Sequence, residues 1–150
     1  MNETILVIHI LSAAVWIGTA VFFGYAGPRF RTIGGPAVKG WIEVALGSIP
    51  RVIVPAAVLT ALSGVTLVLI EEAWDWDDAF VWIGLGVSVV VLSIGLGWNA
   101  PNMRRALTAL EAQDFPTVAA SMRKVAGAGI LILVLLVFAE FVMVFRLGSG

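Results

Sequence analysis

The chain has no cysteine and one histidine in 150 residues, and only 13% of its side chains are charged. Without cysteine, disulfides, thiolate zinc sites and iron–sulfur clusters are excluded, so any metal must sit on nitrogen, oxygen or thioether. The charged fraction is about half the roughly 25% of soluble domains. What replaces charge is apolar: 60% of the residues are hydrophobic and the mean hydropathy is +1.02. A water-soluble globular domain is therefore excluded, and a net charge of -1 gives no ground for a nucleic-acid partner.

A hydrocarbon core about 30 Å thick needs roughly 20 apolar residues per helix. Four stretches meet that length: 5–27, 52–70, 79–98 and 125–145. They fit one transmembrane domain over residues 1–150, an all-α, integral membrane four-helix bundle. The first stretch lacks a basic flank and ends in Gly27-Pro28-Arg29 rather than at a small-residue cleavage site, so it is expected to remain as the first helix.

Charge along the chain orients the bundle. Arg29, Arg31, Lys39 and Arg51 stand against Glu43 between the first two spans, and Arg104, Arg105, Arg123 and Lys124 against Glu111 and Asp114 between the last two. The turn between the second and third spans has Glu71, Glu72, Asp75, Asp77 and Asp78 and no Lys or Arg. Short basic loops stay inside. This predicts an antiparallel arrangement, N-out and C-out, with loops 28–51 and 99–124 cytoplasmic at a cell membrane.

The inner connections are expected to be helical. Gly34, Gly35 and Pro36 break the first, and the amphipathic run around Trp41, Ile42 and Leu46 is predicted to lie flat at the interface, with Trp41 among the headgroups. In the second, Pro101 opens a helix of good formers and Asp114 caps a new one with Pro116 in its first turn. Pro55 should kink the second span near its inner end, and Trp74, Trp76 and Trp82 should form an outer aromatic belt.

Inside the spans the ionisable side chains are His9 and Glu140, with Arg51 and Arg146 at edges. Both His9 and Glu140 lie near the outer end of their helices. First and last helices of an up-down bundle are neighbours, so the two are expected to meet. A carboxylate on the far nitrogen would set the imidazole tautomer, as in supported ligating histidines. Trp16 follows His9 by seven residues on the same face, and Met143 follows Glu140 by three. The candidate site is thus His9, Glu140, Met143 and Thr66, with Trp16 as its floor and Ser63 at similar depth. Each residue also has a plain structural reading: an interhelical clasp for His9, a headgroup contact for Glu140, core filling for Met143 and Trp16.

The series His9, six residues, Trp16, one residue, Gly18, then aromatics and Pro28-Arg29-Phe30, resembles the opening helix of small membrane proteins related to copper resistance protein D. More distantly it resembles the four-helix, haem-containing protoporphyrinogen oxidases. The likeness extends to Leu62-Ser63-Gly64 and to residues 99–105. The oxidase resemblance implies that His9 serves haem b. The copper resistance likeness implies His9, Met143 and Met1 as copper ligands. The lysine and further histidine that the oxidases associate with their third helix are absent between Phe80 and Trp98.

Three functions stay open at this level. One is haem or copper binding for redox or metal handling; a single histidine then needs Met143, an open coordination position or the second copy in a homodimer. Another is an accessory or structural subunit beside a partner membrane protein. The third is a small transporter using His9 and Glu140.

Overall fold

Gly34 separates the first two helices because it takes a φ of 117°, a backbone conformation that side chains other than glycine's rarely adopt. The computed structural model describes residues 2–70 and 75–146. Met1, Glu71, Glu72 and Trp74, invoked above for the outer face, lie outside the described residues. Among those described, the chain is all-α and runs as α1 (Glu3–Ile33), α2 (Gly35–Ser48), a π-helical turn at Ile49–Ile53, α3 (Val54–Ile70), α4 (Ala79–Ile94), a second π-helical turn at Gly95–Asn99, α5 (Ala100–Glu111) and α6 (Phe115–Val144).

The π turns have one physical origin. In each, an N–H reaches back five residues, Val54 to the carbonyl of Ile49 and Ala100 to that of Gly95. The next residue is a proline, Pro55 or Pro101, whose ring cannot donate and crowds the carbonyl four residues back. Widening the turn relieves that crowding without ending the helix. Hence α2 and α3 form one rod of 36 residues and α4 and α5 one of 33, beside α1 with 31 and α6 with 30. All four are long and apolar enough to cross a membrane. At 1.5 Å per residue they measure about 45 to 54 Å, well beyond a hydrocarbon core of about 30 Å.

Helix α1 runs past the apolar stretch 5–27 to Ile33. One expectation changes here. Trp41 does not lie among headgroups: it is buried, edge-on to Phe23 at 6.2 Å and against Gly27, because α2 continues straight into α3 and turns its apolar face inward.

The four rods form a bundle in which α1 packs on α3 and α6, α4 packs on α6 and α3, and α2 and α5 pack on each other at one end. Three apolar clusters follow one another along it. Trp41, Ile42, Met103, Ala106 and Met122 fill the α2–α5 end. Trp16, Ala56, Ala57, Val91, Ile132 and Leu136 fill the middle. Val68, Phe80, Val81 and Val142 fill the far end. The outside carries exposed large apolar side chains such as Leu11, Phe22, Leu62, Val89, Ile130 and Val134, a surface suited to lipid rather than water.

At the α2–α5 end Lys39 bridges Glu111 at 3.3 Å and Glu43 at 3.9 Å. Asp114 caps α6 by accepting from the Thr117 N–H at 3.1 Å, as its position before Phe115-Pro116 implies.

Candidate functional site

His9 lies on α1 between the middle and far-end clusters, and its imidazole faces α3. Nδ1 is 2.9 Å from the Thr60 carbonyl oxygen and 3.2 Å from Ser63 Oγ. A carbonyl only accepts, so Nδ1 carries the proton. The Ser63 hydroxyl spends its own hydrogen on the carbonyls of Leu59 and Thr60, so its oxygen is free to accept from His9 as well. Beside this pair the Thr60 hydroxyl meets Ser12 Oγ at 3.0 Å and the Ala56 carbonyl at 2.8 Å, and Ser12 bonds to the carbonyls of Ile8 and His9. Four polar side chains on two helices thus form a hydrogen-bonded strip between apolar layers.

Gly64 makes this possible. A Cβ there would lie 3.1 Å from His9 Cε1 and 3.4 Å from Nδ1, so the imidazole rests on bare backbone. With the proton fixed on Nδ1, the lone pair is on Nε2. Nε2 has no hydrogen-bond partner among the described residues, and it is not among the sealed, unpartnered polar atoms. His9 as a whole is half-buried.

Among the described residues no hydrogen bond joins the other candidates to His9, apart from Ser63. Helices α1 and α6 do touch, yet Glu140 is half-buried and makes no hydrogen bond or ion pair among the described residues. Met143 packs on α4, where its Cε occupies the space beside Gly84. The Thr66 hydroxyl bonds to the Leu62 carbonyl of its own helix at 2.8 Å. Trp16 is buried two turns from His9, packed with Ala56 and Ala57 in the middle cluster.

Ser12 and Thr60 belong to this strip and lie outside the candidate set expected from sequence. Their signal was present: Ser12 is three residues after His9, and Thr60 three before Ser63, the spacing that puts polar side chains on one helix face.

The arrangement offers one oriented imidazole nitrogen and no second nitrogen or thiolate beside it. Among the described residues no three His, Cys, Asp or Glu side chains converge on a metal-sized site. A copper ion, which takes most of its ligands from protein, is poorly served by this donor set within one chain. Haem iron, which needs only one or two axial protein ligands, is compatible with it. No protein-family model, curated protein or solved structure matches the chain.

Proposed function

We propose that the protein is a multi-pass membrane protein, an antiparallel up-down bundle with both termini outside, that lends His9 Nε2 as an axial ligand to haem b at an interface with a second copy or a partner membrane protein. The observation that carries this is the Nδ1–H bond to the Thr60 carbonyl, which fixes tautomer and ring orientation as the supporting bond of a ligating histidine does. An accessible Nε2 with no partner among the described residues is the matching half. One imidazole per chain suits a ligand shared across a two-fold axis, where the second copy supplies the second nitrogen. When bound, haem supplies one-electron redox chemistry.

The orientation rests on charge. Arg31, Lys39, Arg104, Arg105 and Arg123 gather at the α2–α5 end, and the tendency of short basic loops to stay inside supports a cytoplasmic position for that end.

The test is an absorption spectrum of protein purified in mild detergent from cells supplied with haem. A Soret band is expected, lost in His9→Ala, with one haem per two chains if two histidines share it. A colourless wild-type protein, or a band unchanged in His9→Ala, removes the proposal.

A second reading is favoured by the interhelical bonds of the strip formed by His9, Ser12, Thr60 and Ser63: an accessory subunit in which the histidine only ties α1 to α3. Such bonds are worth about 0.6 kcal/mol on average in a bilayer. The same colourless protein, folded, would support it. The transport reading draws less support, because among the described residues no hydrogen bond links His9 to Glu140.

A further inference from the structure

A cavity of about 630 Å³ lies inside the bundle, and all four rods line it. Its size is that of a small-molecule site. Trp16, Val91 and Ile132 at one end belong to the middle cluster, and Trp41, Met103 and Met122 at the other belong to the α2–α5 cluster. From Trp16 to Arg31 the wall follows α1 for about 22 Å, and from Met122 to Leu133 it follows α6 for about 17 Å, at 1.5 Å per residue.

Length and width both restrict the occupant. Half of a bilayer, headgroups included, is about 20 to 22 Å thick. About 630 Å³ spread over about 20 Å leaves a mean cross-section of about 30 Å². A helix, about 10 Å across, needs more than twice that area. The space suits one extended hydrocarbon chain lying along the membrane normal, and a peptide helix is too wide for it.

Charge in the wall is one-sided. Among the described residues that line it, Arg31 is the only charged one, and no carboxylate is present. Apart from Asn99 and the aromatic side chains, the rest of the wall is apolar. Arg31 stands at the α2–α5 end, where the headgroup of a chain reaching toward Trp16 would be. It is exposed and has no ion pair or side-chain hydrogen bond among the described residues. Its neighbours are engaged: Arg29 lies over the Tyr25 ring at 4.2 Å, and Arg51 donates to the Gly47 carbonyl at 3.2 Å. A guanidinium is a planar fork of donors that matches a carboxylate or a phosphate. Val21, Tyr25 and Ile130 line the cavity and are exposed, which gives a sideways entry from the lipid.

We infer that this cavity is a binding site for a single-chain anionic amphiphile, its hydrocarbon tail directed toward Trp16 and its carboxylate or phosphate head on Arg31. The site is independent of His9, which is not part of the wall.

The test titrates the full chain, in mild uncharged detergent at mildly alkaline pH, with palmitate, monohexadecyl phosphate and hexadecanol, and counts adducts by native mass spectrometry. One anion per chain is expected, bound about tenfold more tightly than the alcohol, the value of a charge-assisted hydrogen bond. The tighter of the two anions identifies the head as carboxylate or phosphate. Arg31→Gln should bring anion and alcohol level while the alcohol still binds, and Arg31→Lys should keep part of the preference. Arg31 is exposed, so both variants should fold with unchanged helix content by circular dichroism. A palmitate carrying a diazirine on its last carbon, irradiated when bound, should mark the peptides around Trp16, Val91 or Ile132 and spare Leu62 and Leu69 on the outside. Equal binding of anion and alcohol by the unaltered chain, an anion preference undiminished in Arg31→Gln, label spread over the outside, no adduct, or a two-chain phospholipid that neither anion displaces would each overturn the inference.

Discussion

His9 Nδ1 lies 2.9 Å from the backbone oxygen of Thr60, so the chain's one histidine is tied to α3 and not to α6, which carries Glu140. A backbone acceptor cannot be removed by mutating Thr60, and the adjacent helix surface at Gly64 becomes the place to break the contact. A Cβ there would stand 3.1 Å from a rigid ring. Gly64→Val is therefore expected to cost about 1–2 kcal/mol through overpacking. In a His9→Ala background most of that penalty should vanish, a coupling visible in reversible detergent unfolding followed by circular dichroism. Equal penalties in both backgrounds would mean that the ring does not rest on Gly64.

That contact also marks what could be read from the chain alone. The four spans were legible because 20-residue apolar runs have few alternatives, and the cap at Asp114 because its signal is local. The adjacency of α1 and α6 was legible from connectivity. The partner of His9 was not: two helices offered polar residues at its depth, Glu140 on α6 and Ser63 and Thr66 on α3, and the bare backbone of Gly64 and the hydroxyl of Ser63 favour α3. Trp41 misled for a related reason. An amphipathic run next to a glycine-rich break fits an interfacial helix and the start of a long rod equally well. The π turn before Pro55 decided for the rod.

Met143 is held against α4 by shape. Its Cε fills the space in which a Gly84 side chain would stand, and a thioether's flexible end can move aside. Gly84→Ala should cost on the order of 1 kcal/mol. Paired with Met143→Ala it should cost nothing or stabilise, because the new methyl then fills the vacated space and alanine favours the helix. Met143→Leu should leave any haem spectrum unchanged. A spectral shift in that variant would mean that the sulfur leaves Gly84 and acts as a ligand.

Glycine positions of the first helix should separate sharply by surroundings. A Cβ on Gly27 would come within 3.0 Å of Trp41 Cζ2, in a buried indole with little freedom, whereas one on Gly18 meets nothing within 4 Å. Gly27→Ala is expected to destabilise by about 1–3 kcal/mol. Gly18→Ala should be neutral or stabilising by up to about 1 kcal/mol from helix propensity. Unfolding midpoints of the two variants, measured side by side, check the order; the reverse order would place Trp41 elsewhere.

Asp114 gives the bundle an acid-sensitive joint outside the spans. The Thr117 hydroxyl, then the Thr117 N–H, and Arg105 more weakly, hold its carboxyl below the ordinary 3.8, against a small opposing effect of desolvation. The folded chain therefore binds this proton less readily than the unfolded one. By linkage, the carboxylate's contribution is complete above about pH 3.8 and fades as pH falls through that value and then through the lower folded one. Asparagine keeps an oxygen to cap α6 but has no proton to gain. Asp114→Asn should accordingly be the less stable chain at pH 7, and the gap should narrow or reverse at pH 3. Every other carboxylate is common to both chains and cancels from the comparison. Unfolding midpoints at the two pH values measure it, and a gap that stays constant would show that the Thr117 contacts do not discriminate between the charged and neutral carboxyl.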